Sequence, residues 1–161
     1  MATTWDSFFV AQVGGSAALT GLVFVALSIN LARILEHSQL VERAGEAVIL
    51  LVAPMVVGLA ALVPDISLRT TGALCLVVAV FAEAIVNRLL IKGRLAARDR
   101  PSYEFRTRLT VAELAMAPTL VGAILLLTSS TAGYDWIALG VVLSLLVGIF
   151  DAWVLLVEIM R

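Results

Sequence analysis

The sequence predicts an all-α, polytopic bundle of transmembrane helices, on three observations. The 161 residues are 61% hydrophobic and only 14% charged, with a mean hydropathy of +1.06, far from the usage of soluble domains. Long stretches carry no charge: 7–32, 47–64 and 114–134 hold none, 70–82 continues past Glu83 to Arg88, and 136–150 continues past Asp151. No window alternates apolar and polar residues with period two, and hydrocarbon leaves only helices or closed barrels available.

Five spans follow, in a single domain covering 1–161: 8–34, 45–64, 70–91, 108–129 and 135–158. Crossing about 30 Å of hydrocarbon at about 1.5 Å per residue takes roughly 20 apolar residues, and each span reaches that length if its acid is tolerated. The alternative has four spans, with 8–34 lying on the surface or 45–64 re-entrant. The N-terminus carries Asp6 and no basic residue. Its apolar run is too long for a signal-peptide core, so the first span reads as persistent.

Basic residues sort sharply once five spans are drawn. Arg33, Arg43, Arg88, Lys92, Arg94, Arg98, Arg100, Arg106, Arg108 and Arg161 fall on one side and Arg69 alone on the other. The positive-inside rule makes the rich side cytoplasmic. The expected protein is therefore a multi-pass protein of the plasma (inner) membrane with its N-terminus outside and its C-terminus inside. Trp5, Tyr134 and Trp136 become anchors at the outer interface. The segment "KGRLAARDRPSYEFRTR", broken by Pro101, is a cytoplasmic loop. Its Lys92, Arg94, Arg98 and Arg100 suit anionic headgroups of the lipid bilayer, at about 1 kcal/mol per basic residue near the surface. Only Tyr103 and Phe105 interrupt it, too few aromatics for base stacking, so no nucleic acid is expected as a partner.

Three acids lie inside the spans. Glu83 comes five residues before Arg88 and Glu113 five after Arg108, which at helical rise puts each about 7.5 Å inside the boundary. With Asp151, Asn30 and Asn87 they make a polar intramembrane layer in the cytoplasmic half. An ionised acid at mid-span costs about 2.5–3.5 kcal/mol on insertion scales, so something must compensate it. One reading pairs the acids with Arg33, Arg43 or Arg88 and with the two asparagines. A second lines a path for cations or protons with them. A third builds an oxygen-ligand site for Mg²⁺ or Ca²⁺, and whether a metal binds is left open.

Helical angles separate two kinds of face. Gly140, Ser144 and Gly148 step by four with Ala152 in span five, and Asp151 falls in the same arc. In span one Gln12, Ser16, Thr20 and Asn30 form a polar stripe that should turn from lipid, while Gly14, Ala17, Ala18 and Gly21 cover the opposite side. Such small-residue faces let backbones approach closely. Pro54 frees the carbonyl of Leu50 and Pro118 that of Leu114, giving two further ligands for water or cations. "VFAEAIV" and "GIFDAWV" are faintly alike, which chance similarity among apolar helices explains.

Nothing points to an enzyme or a cofactor. There is no G-x-S-x-G elbow, P-loop or G-x-G-x-x-G. "VGGSAAL" reads as helix packing. One cysteine, Cys75, and one histidine, His37, permit no intramolecular disulfide and make a zinc site or a Cys/His pair improbable. Cys75 reads as a small hydrophobe and His37 as a solvated loop residue.

The stretch "WDSFFVAQVGGSAALTGLVFVALSINLARILE" resembles the N-terminus of small bacterial multi-span inner-membrane proteins labelled modulators of FtsH protease. The likeness covers about the first third of the chain, and the span pattern loosely beyond it. It implies a bacterial inner membrane and an accessory role, and it carries over no catalytic or binding residue.

Two functions are therefore expected. One is a homo-oligomeric ion or proton pathway, with Glu83, Glu113 or Asp151 from each copy ringing its axis. The other is a non-conducting accessory or regulatory subunit docked on a larger membrane complex. Self-association is expected through whichever small-residue stripe the bundle leaves free. The topology has its own check: cysteines placed at Thr3 and Ser102 should be labelled from opposite faces of the membrane, and same-side labelling contradicts five spans.

Overall fold

A backbone in hydrocarbon must bond its own amide groups, so each charge-free stretch folds as a helix. The computed structural model describes residues 4–96 and 102–159. Among them are α1 (Thr4–Ile29), α2 (Leu31–Glu36), α3 (Ser38–Ala61), α4 (Leu68–Ala96), α5 (Ser102–Leu127) and α6 (Gly133–Ile159), and no strand. All but α2 are long and apolar enough to cross a membrane, so the chain is a multi-pass transmembrane bundle.

The boundaries differ from the sequence reading in one instructive place. The first span does not run from 8 to 34. Asn30, at φ −101° and ψ 10°, stands between α1 and α2. Its side-chain amide donates to the carbonyl of Ala26 at 2.9 Å, a local bond of the kind that competes with helix continuation. The short α2 then buries Ile34 against Ala44 and Leu155 and leaves Leu31 and Leu35 exposed. His37 follows in extended conformation and is exposed. The third helix starts at Ser38 rather than 45, bringing Arg43 and Glu46 onto it. The other long helices each extend the expected span by a few residues at one end or both.

The helices α3, α4, α5 and α6 close a ring in which α3 packs on α4 and α6, and α5 on the same two. Helix α1 lies outside this ring along α3, with slight contact to α6. Three apolar clusters fill the interior. Phe9, Val57, Cys75, Leu126, Ile137 and Val141 pack at the end bearing the short loops. Leu50, Val86, Leu90 and Met116 occupy the middle and far half, and Ile34, Ala44 and Leu155 seal the α2 corner. Outward-facing Leu22, Phe24, Phe81, Ile91, Leu146, Phe150 and Trp153 form the broad apolar surface that lipid covers.

Small residues set the helix spacing. A side chain at Gly72 would sit 2.7 Å from the Leu127 amide of α5, and one at Gly140 2.5 Å from the Thr119 amide. Gly148 faces Leu50 and Leu51, and Gly58 receives Gln12 and Val13 of α1. The stripe Gly140, Ser144 and Gly148 is thus internal, seated on α3 and α5. Gly14 and Gly21 are different: nothing lies within 4 Å of a side chain placed there. The polar stripe of α1 does turn inward, with Gln12 and Ser16 buried and Gln12 Nε2 donating to Ser16 Oγ at 2.8 Å.

At the short-loop end Trp5 stacks on Tyr134 with ring centroids 5.7 Å apart, and Phe9 lies 5.9 Å from the same ring. Two of the three expected interface anchors therefore pin α1 to the start of α6, while Trp136 is exposed. Asp65 and Ser129 take positive φ in the two tight connections, and Arg69 Nε donates to Ser129 Oγ at 3.0 Å, tying those connections together.

Close approach gives a direct check. Gly72→Ala and Gly140→Ala should destabilise the bundle by about 1–3 kcal/mol, since backbone must shift to admit the methyl. Gly14→Ala and Gly21→Ala should be neutral or gain up to about 1 kcal/mol from helix propensity. Reversible unfolding in mixed micelles measures all four.

Candidate functional site

The charged groups gather at the end of the bundle opposite Trp5 and Tyr134. Glu46, on α3, repeats at helical spacing with Leu50, Ala53 and Val57, so the inward stripe of the helix carries a carboxylate one turn before its apolar part. Glu46 is only 2% exposed. Arg108 of α5 pairs with it through Nη2 and Oε2. One turn earlier on α3, Arg43 Nη1 donates to Glu158 Oε2 of α6 at 2.8 Å. Asp151 of α6, 7% exposed, lies within Coulombic range of Arg108 and Arg43. The result is a charged cluster spanning three helices of the ring, and Glu46, its most enclosed member, was not among the residues singled out from sequence.

The expected single polar layer is therefore two groups and an outlier. On the seam between α4 and α5, Asn87 Nδ2 donates to Glu113 Oε1 at 3.0 Å, and the Glu113 carboxyl group lies close to that of Glu83. All three are partly exposed, and Glu83 Oε2, though enclosed, has no hydrogen-bond partner among the described residues. Asp151 belongs with the arginines instead. Asn30 joins neither group, because its amide is used on its own helix.

The headgroup residues are placed in part: Lys92 is exposed and Arg94 half-buried near the end of α4, while Arg98, Arg100 and Pro101 lie outside the described residues. Among the described residues no group of three His, Cys, Asp or Glu is arranged to hold a metal ion.

The proline in α3 has a specific partner. Pro54 cannot donate to the carbonyl of Leu50, and Ser144 Oγ of α6 donates to that oxygen at 2.8 Å instead. That freed carbonyl is thus taken by a neighbouring helix, not offered to a cation. Beside it, a cavity of about 20 Å³ lies at the axis of the ring between Pro54, Val57, Ala82, Met116, Thr119 and Ser144.

Comparison of the chain with protein-family models, with curated proteins and with solved structures gives no match.

The proline contact predicts non-additivity. Ser144→Ala should cost about 0.5–2 kcal/mol with Pro54 present, because it leaves a buried carbonyl unpaired. In a Pro54→Ala background, where residue 54 supplies its own amide, the same change should cost markedly less. Equal losses in the two backgrounds in unfolding experiments contradict the pairing.

Proposed function

We propose that this chain is a non-conducting accessory subunit of a bacterial inner membrane, with its basic end toward the cytoplasm. The observation that carries the reading is the placement of charge. A conducting path needs acids free to meet water or an ion, whereas Glu46 and Glu158 are each bonded to an arginine of the same chain, with Asp151 beside both arginines. The lining of the space on the axis at Pro54, Thr119 and Ser144 supports it too, since it holds no charged side chain and suits little more than one water.

Docking falls to α1. Its Gly14 and Gly21 lie bare on the side away from α3, a surface that lets another transmembrane helix approach its backbone. The occupant is a helix of a larger membrane complex or of a second copy of this chain. The orientation follows from the sequence, in which ten of eleven basic residues fall on one side of the five spans.

One observation favours conduction between copies: among the described residues Glu83 Oε2 is without a hydrogen-bond partner on the α4–α5 seam, where a ring of copies would juxtapose carboxylates.

Proteoliposomes separate the readings. The accessory reading expects proton and monovalent-cation flux equal to that of empty vesicles. It also expects Gly14→Leu combined with Gly21→Leu to leave folding unchanged while abolishing helix association in the bilayer. Flux above background that disappears in Glu83→Gln overturns it.

A further inference from the structure

We propose that the cavity at the axis of the four-helix ring is a bound-water site, its water held between the hydroxyls of Thr119 and Ser144. At about 20 Å³ the cavity exceeds the about 10–15 Å³ that one water needs. Its walls are apolar on the α4 side, at Ala82, and at Val57 and Met116, and polar where α5 and α6 meet.

Thr119 is 7% exposed, and its hydroxyl makes no side-chain hydrogen bond among the described residues. A hydroxyl that faces such a space inside a membrane bundle gains from a water there, because no lipid group stands in for the missing bond. Ser144 supplies the second contact. Its proton is committed to the Leu50 carbonyl, which leaves the oxygen's lone pairs to accept from a water. Thr119 both donates and accepts, so one water can give a proton to Ser144 Oγ and exchange either role with Thr119 Oγ1. The neighbouring Gly140 keeps the two helices close at this level, with Thr119 packed directly on its backbone.

The same features set the ligand class. No charged side chain lines the space, so an ion would lose its hydration with nothing to replace it. A volume near that of one water excludes organic ligands. The water therefore acts as a fixed part of the fold, bridging α5 and α6 where Pro54 has turned the Leu50 carbonyl over to Ser144.

The test is the structure of the full chain in lipid at a resolution that shows ordered water, for wild type, Thr119→Val and Thr119→Ser. The expected result is a water peak within hydrogen-bonding distance of Thr119 Oγ1 and Ser144 Oγ in wild type and Thr119→Ser, and its loss in Thr119→Val. An empty cavity in wild type overturns the proposal, as does a peak that persists in Thr119→Val. Should Thr119→Val fail to fold, wild type and Thr119→Ser decide alone: a peak in both supports the site, and absence from either overturns it.

Discussion

The Glu46–Arg108 ion pair fixes how α3 and α5 meet at the basic end of the bundle. A charged carboxylate as enclosed as Glu46 gains from a guanidinium that donates to it, since an isolated buried charge costs several kcal/mol. The two helices are not direct neighbours in the ring; they face each other across it, between α4 and α6. A bond across that diagonal constrains all four helices, and Arg43–Glu158 repeats the device between α3 and α6 nearer the end. Asp151 lies within Coulombic range of the same two arginines.

The same rule, that hydrocarbon offers no partner to a polar group, explains the rest of the interior. Pro54 removes one amide from α3, and Ser144 answers it from α6. Asn30 bonds back to Ala26 and ends α1 at that point. Gln12 reaches Ser16 on its own helix. Gln12 and Asn30 thus donate to groups of α1 itself, while Arg43 and Arg108 bond across to other helices. Helix α1 is held along α3 by the Trp5–Tyr134 stack and the Gly58 crossing.

Much of this was legible from composition alone. Five transmembrane helices follow from where charges are missing, and the outward glycine face of α1 follows from helical angles. What the charge-free criterion hid was Glu46. The charge-free stretch begins at 47, so Glu46, although inside the 45–64 span, was passed over as a flanking charge while its spacing with Leu50, Ala53 and Val57 continues the inward stripe. The single polar layer failed for a related reason: depth along a helix is readable from sequence, but the partner across the bundle is not, so Glu83 and Asp151 looked equivalent and proved to face different neighbours. Asn30 was read by helical angle as one more member of a stripe, when a side chain that can bond its own backbone is as often a stop signal.

The Glu46–Arg108 ion pair, enclosed at its carboxylate, holds the bundle together at its basic end. A double-mutant cycle on Glu46→Leu and Arg108→Leu, read by unfolding in bicelles, tests it most directly. Arg108→Leu should cost about 3–5 kcal/mol by stranding the buried Glu46, Glu46→Leu less because Arg108 is partly exposed, and the double variant less than the sum, with a coupling of at least about 1 kcal/mol. Losses that add to within about 0.5 kcal/mol would show that the two residues act independently, and would contradict the account.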